Sequence, residues 1–170
     1  ANQATIDGLT QVANRRKFDQ YLNREWKRLA RERQPLALVL CDVDFFKAYN
    51  DSCGHQSGDR TLQQIARCLR ETVKRVADLV ARYGGEEFAL ILPNTPLWGA
   101  LCVSQNALER IRQLNIPHPQ SLVSDRITAS LGVAAAIPQP GESPDFLLEA
   151  ADRALYQAKS EGRDRVVASQ

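Results

Sequence analysis

Leu79-Val80-Ala81-Arg82-Tyr83-Gly84-Gly85-Glu86-Glu87-Phe88-Ala89-Leu90-Ile91-Leu92 places two apolar runs on either side of two glycines and two carboxylates. Short apolar runs bounded by turn residues read as buried strands. Gly84-Gly85 suits a hairpin turn between them, because glycine accepts positive φ without steric cost. The expected strands are Leu79–Tyr83 and Phe88–Leu92, paired antiparallel. The turn is either a solvated tip or a holder for a cation, and the rest of the chain decides between the two.

Upstream, Leu36–Cys41 is a nearly continuous apolar run and reads as a buried central strand. It breaks into Asp42-Val43-Asp44, and the following Phe45–Tyr49 is expected to be helical. Asn14 is a plausible N-cap for a first helix whose apolar stripe is Phe18, Leu22, Trp26 and Leu29, stopped by Pro35. The stretch from Asn50 to Asp59 is dense in turn formers and reads as a loop, with a helix from Asp59 to Lys74 after it. Downstream, a helix is expected over Leu97–Leu114, a loop at Pro117-His118-Pro119 and a strand over Arg126–Ala136. Pro144 opens a last helix to Lys159, and Val166-Val167 closes the chain as a short strand. Helices and strands alternate around a sheet with one antiparallel hairpin, so the class is α/β, or α+β with a mixed sheet.

With 170 residues, the chain is long enough for one domain with a proper core and short for two. A net charge of +2 gives little support to a nucleic-acid partner, which calls for a basic face. No apolar run reaches the roughly 18 residues of a membrane span, so no membrane contact is expected of this segment. Cys41, Cys53, Cys68 and Cys102 form no CxxC pair, which points to reduced thiols in a cytoplasmic setting. Cys53 and His55 lack a second pair to complete a structural zinc site.

Three polar groupings could carry chemistry. Asp42 and Glu86 converge at one rim of the sheet if their strands are neighbours, and carboxylates brought together repel unless a cation or a proton separates them. Magnesium, held by one or two carboxylates plus substrate phosphates, fits that need. Asp42 and Asp44 are expected to point to opposite faces, leaving one as a ligand and the other paired structurally. In the second grouping, Lys47, Asn50 and Asp59 offer donors and acceptors that suit the edge of guanine, although Asp59 also suits a helix cap. The third, Lys159 and Arg163, complements a helix C-terminus and would equally bind phosphates.

Together these residues resemble the GGDEF domain, the catalytic domain of diguanylate cyclases. Asp7-Gly8-Leu9-Thr10 with Asn14-Arg15-Arg16-Lys17-Phe18 resembles the family's entry signature, with Gln11 and Val12 in place of Gly-Leu. Asp42-Val43-Asp44-Phe45-Phe46-Lys47, then Asn50-Asp51, Gly54-His55 and Gly58-Asp59, follow the next signature. Gly84-Gly85-Glu86-Glu87-Phe88 is the GGEEF form of the hallmark, and Ala151-Asp152 through Gly162-Arg163 matches the closing signature.

The resemblance implies a single domain over residues 1–170, with 1–6 as the tail of a linker from an upstream sensor or receiver domain. It implies a mostly antiparallel five-stranded sheet like that of the nucleotide cyclase and polymerase palm. It implies condensation of two GTP into cyclic di-GMP across a homodimer. The alternative is a weak domain that only binds GTP or cyclic di-GMP. Magnesium, or manganese in its place, would be held by Asp42, Glu86 and the Val43 carbonyl. Glu86 would also assist deprotonation of the attacking hydroxyl, and Glu87 would lie near the metal. Phe45, Phe46, Lys47, Lys159 and Arg163 would hold the triphosphate, while Asn50 and Asp59 read guanine. Arg75 and Asp78 form an R-x-x-D placed where the family's product-inhibition site lies. Asn106 stands where a third arginine is often found, so weaker inhibition is expected.

Overall fold

The computed structural model describes residues 4–169. The expected linker tail at residues 1–6 therefore lies partly outside the described residues. The elements in chain order are α1 (Arg15–Glu32), β1 (Leu36–Val43), α2 (Phe46–Cys53), α3 (His55–Thr72), β2 (Leu79–Arg82), β3 (Glu87–Pro93), α4 (Leu97–Gln113), β4 (Ala129–Ala136), α5 (Asp145–Ser160) and β5 (Arg165–Ala168). They build one five-stranded sheet in the order β2-β3-β1-β4-β5. All pairings are antiparallel except β4 with β5, which α5 connects as a crossover. The mixed, mostly antiparallel sheet expected from the sequence is thus the one observed.

β1 lies at the centre and is buried along its whole length. Its alternation splits the core in two. Ala37, Val39, Cys41 and Val43 pack with Leu62, Ile65, Leu69, Leu108 and Ile111 of α3 and α4. Leu36, Leu38 and Leu40 pack with Phe18, Leu22, Trp26 and Leu29 of α1 and Leu147 and Leu155 of α5. α1 begins as expected, with the Asn14 side chain accepting from the Lys17 N–H at 3.0 Å. α5 docks on β4 with almost no gap: a Cβ at Gly132 would meet the Leu155 nitrogen at 2.2 Å and the Ala151 oxygen at 2.4 Å.

One stretch departs from expectation. Asn50–Asp59 is not a loop. α2 runs to Cys53, α3 starts at His55, and only Gly54 separates them, at φ +91. Asp59 consequently sits inside α3 rather than capping it. The turn formers are overridden because Phe46, Tyr49, Gly58, Thr61 and Leu62 bury one side of the helix pair. The glycines of the hairpin also differ from expectation, since neither Gly84 nor Gly85 adopts positive φ.

Candidate functional site

β1 ends at Val43, and its register sets the acidic residues. Asp42 lies directly opposite Glu87 on β3 and Ser130 on β4. One step further the Val43 N–H donates to the Glu86 carbonyl at 3.1 Å, bringing the GGEE turn against the end of β1. Arg82 braces that turn, donating to the Gly85 carbonyl at 2.8 Å while its other nitrogen pairs with Asp7 at 3.2 Å. The two glutamates part company here. Glu86 lines the cavity at the end of the sheet. Glu87 folds back over Gly84, where a Cβ would stand 2.7 Å from its Oε2.

Asp42, Val43, Asp44, Phe45, Phe46, Lys47, Glu86, Lys159 and Arg163 line that one cavity. Lys159, on the last turn of α5, donates to Asp42 Oδ2 at 2.5 Å. Burial raises the Asp42 carboxyl above its ordinary value; the Lys159 cation opposes the rise and Glu86 adds to it. Burial likewise raises Glu87, and the Asp42 charge reinforces the effect.

Asp42 and Asp44 do not point to opposite faces. Residues two apart on an extended chain share a face, and Asp44 accepts from the hydroxyl of Ser130, the ladder partner of Asp42, at 2.7 Å. The two carboxylates differ instead in what they hold. Asp44 is 2% exposed and takes Thr128 Oγ1 at 2.7 Å and the Asp164 N–H at 3.0 Å as well. Three donors, Ser130 on β4, Thr128 just before it and Asp164 in the turn before β5, thereby fix the end of β1, although burial still raises the Asp44 carboxyl.

Three non-glycine residues here are left-handed: Phe45 at φ +51, Arg163 at +64 and Asp164 at +49. Such conformations cost energy and persist where surroundings hold them. Arg112 of α4 holds Asp164 through its carboxylate at 2.8 Å and its carbonyl at 3.0 Å. Arg163 lies over the Phe45 ring, 4.5 Å from its centroid. Phe45 turns the chain sharply into α2, whose N-terminus carries no side-chain cap. Uncapped N–H groups at a helix start attract anions.

Asn50 and Asp59 do not line this cavity; they lie on the adjoining helices α2 and α3. Asn50 Oδ1 is buried without a hydrogen-bond partner, against Gly58, where a Cβ would come within 1.8 Å of it. Arg75 pairs with Asp78 at 3.4 Å and also donates to the Pro93 carbonyl at 2.8 Å and to Thr95 Oγ1. Asn106 lies on α4. Among the described residues, no three His, Cys, Asp or Glu side chains gather as a metal cluster. No helix among them is long and apolar enough to cross a membrane.

The sequence reading missed Arg112, Thr128, Ser130, Asp164 and His118. Thr128 and Ser130 carried a signal, as polar residues alternating with the apolar Ile127, Ala129 and Leu131. Arg112 and Asp164 are ordinary surface residues by pattern, and their pairing exists only in three dimensions.

The profile of the family described as "Diguanylate cyclase, GGDEF domain" matches residues 4–165. The chain is 39% identical over 170 residues to the response regulator PleD of Caulobacter vibrioides, covering 96% of this chain and 36% of that protein. It thus spans about a third of PleD. The crystal structure of the GGDEF domain of DgcB from Caulobacter crescentus in complex with c-di-GMP superposes at a TM-score of 0.87 with 35% identity, covering 99% of this chain and 97% of that one. The active GGEEF domain of a diguanylate cyclase from Vibrio cholerae gives 0.80 and 32%, covering 94% and 99%. With the sheet, the GGEEF turn and the signatures all in register, the chain belongs to the GGDEF-domain family of diguanylate cyclases.

Proposed function

We propose that this domain condenses two molecules of GTP into cyclic di-GMP with release of pyrophosphate. One observation carries the reading: Asp42 and Glu86, the cations Lys159 and Arg163 and the uncapped start of α2 all border one cavity. Carboxylates beside anion-binding groups are what a nucleoside triphosphate with a divalent cation requires.

The donor set fits a hard cation. Asp42 already holds a positive group, Lys159 Nζ, and burial disfavours its bare charge. Asp42, Glu86 and the Val43 carbonyl would hold magnesium, or manganese, which when bound supplies charge neutralisation at the phosphates and acidifies the attacking hydroxyl. The backbone N–H groups of Phe45 and Phe46, with Lys47, Lys159 and Arg163, bind and orient the triphosphate. Glu86 accepts the proton of the 3′-hydroxyl, with Glu87 held close behind. Asn50, whose amide oxygen has no protein partner, reads guanine together with Asp59.

Each domain offers one such set of groups, while the product is two-fold symmetric. Two domains therefore act face to face as a C2 pair. At low protein concentration the specific rate should rise with concentration, and a concentration-independent specific rate from a monomer would overturn the pairing. Arg75 and Asp78 are the proposed contacts for cyclic di-GMP at an inhibitory site. An upstream regulatory domain would bring the halves together in the cytoplasm.

The deciding experiment is incubation with GTP and magnesium at high protein concentration, followed by product mass analysis. Cyclic di-GMP should appear with wild type and be lost in Glu86→Ala. GTP binding without any product would instead favour a nucleotide-binding regulatory domain.

A further inference from the structure

Pro117-His118-Pro119 has the composition of a loop, yet His118 is 1% exposed. Its Nε2 lies 2.9 Å from the carbonyl oxygen of Phe45, 73 residues away in sequence. A carbonyl only accepts, so Nε2 is the donor in this contact, and Nδ1 is buried with no partner. The ring is fixed on a second side by Tyr49, edge to face at 5.2 Å, and the Tyr49 hydroxyl accepts from Thr61 at 3.2 Å. The His118 backbone is held too, its N–H donating to the Asp125 carbonyl at 2.9 Å.

The Phe45 carbonyl does not need His118 to be satisfied. It already receives the Tyr49 N–H at 3.0 Å as the first bond of α2. The second donor does something else. The Phe45 carbonyl and the Phe46 N–H belong to one planar peptide unit and point in opposite directions. Fixing the oxygen toward His118 fixes the Phe46 N–H to point the opposite way within that plane. The neighbouring Phe45 is left-handed at φ +51, a conformation that persists only when its surroundings enforce it.

We propose that His118 is a positioning residue for phosphate binding: it sets the peptide plane whose Phe46 N–H meets the triphosphate. The inference rests on the reading that the start of α2 holds that group. It separates cleanly from a packing role. His118→Phe keeps the ring against Tyr49 and removes the orphaned Nδ1, so packing alone predicts a neutral or slightly stabilising change. Losing the second donor to Phe45 predicts weaker triphosphate binding in a protein that folds normally.

Calorimetric titration of wild type and variants with GTP, supplied as its uncleavable α,β-methylene analogue so that no product forms, and with guanosine, both in the presence of magnesium, tests it. Guanosine reports the base contacts alone. His118→Phe should lose about five- to tenfold in GTP affinity, the scale of one hydrogen bond, with guanosine affinity and melting temperature held. His118→Gln, which carries a donor near the Nε2 position, should recover most of the loss, and His118→Asn, too short to reach, should not. That Gln–Asn contrast decides the matter even if the Phe variant does not fold. An undiminished preference for GTP over guanosine in the Phe or Asn variant would overturn the role of His118 alone. Wild type that binds GTP no better than guanosine would overturn the triphosphate reading along with it.

Discussion

Lys159 and Asp42 stand 117 residues apart in sequence and meet at 2.5 Å, Nζ to Oδ2, at the end of the sheet. The pair is half-sunk: Asp42 is 7% exposed, while a third of the Lys159 side chain, 33%, faces water. Even with that cation in place, burial leaves the Asp42 carboxyl raised above 3.8. The site keeps a charge that the fold disfavours.

A stability prediction follows from that sign. A carboxyl whose folded pKa is raised adds stability below its unfolded pKa and loses it as pH rises through the folded value. Asp42→Asn should therefore melt higher than wild type at neutral pH in the presence of a chelator. The gap should close as the pH falls toward the carboxylate range, where wild-type Asp42 is also neutral. A gap of the same size at every pH would contradict the assigned cause. The same variant should be inactive toward GTP.

Lys159→Met leaves Asp42 buried and unpaired. It should destabilise the domain by about 1–2 kcal/mol at neutral pH, the lower end for a charged hydrogen bond because the lysine is partly solvated. In the Asp42→Asn background the same change should cost far less. Denaturant titration of the four proteins in the double-mutant cycle measures the coupling.

Glu86 and Glu87 are adjacent in sequence but not equivalent in place. Glu86→Gln should lower kcat by about 100-fold or more, the usual scale for a positioned base. Glu87→Gln, a change on the β3 side of the turn, should cost about tenfold or less. Its effect should come through Asp42, whose charge raises Glu87 after burial does. Equal losses in the two variants would merge the roles separated here.

Arg75 is already engaged by Asp78 and by the Pro93 carbonyl. Cyclic di-GMP must compete for that guanidinium if it binds there, so modest affinity is expected. Calorimetry on Arg75→Ala should show a loss of about tenfold or more, and Asn106→Arg on α4 should show a gain of similar size. Unchanged affinity in Arg75→Ala would remove the site.

Much of this was legible from residue pattern, and the exceptions have physical causes. The apolar runs of β1 and β3 and the stripe Phe18, Leu22, Trp26 and Leu29 report burial directly, so those elements could be read from period alone. The Asn50–Asp59 stretch misled because its Asn, Asp, Ser and Gly residues favour turns locally, while burial of Tyr49, Thr61 and Leu62 decides the outcome. Strand order was not readable, since nothing local says that β1 lies between β3 and β4. The convergence of Asp42 with Glu86 depended on that order. The supports of the site, Arg112 on Asp164 and His118 on Phe45, join positions 52 and 73 residues apart, so no local pattern could announce them.

The close seat of α5 against Gly132 has a consequence for the order in which the molecule comes into being. Lys159 and Arg163, two of the three cations lining the cavity, arrive with α5 and the turn before β5, whereas Asp42, Lys47 and Glu86 come earlier in the chain. A chain leaving the ribosome presents both acids first, with Lys47 as the one cation of that lining beside them. The Lys159–Asp42 pair can form only after the crossover has closed on β4, so an unfinished chain leaves Asp42 without that partner. A side chain at position 132 would hold that closing segment off the sheet, and Asp42 would wait without Lys159.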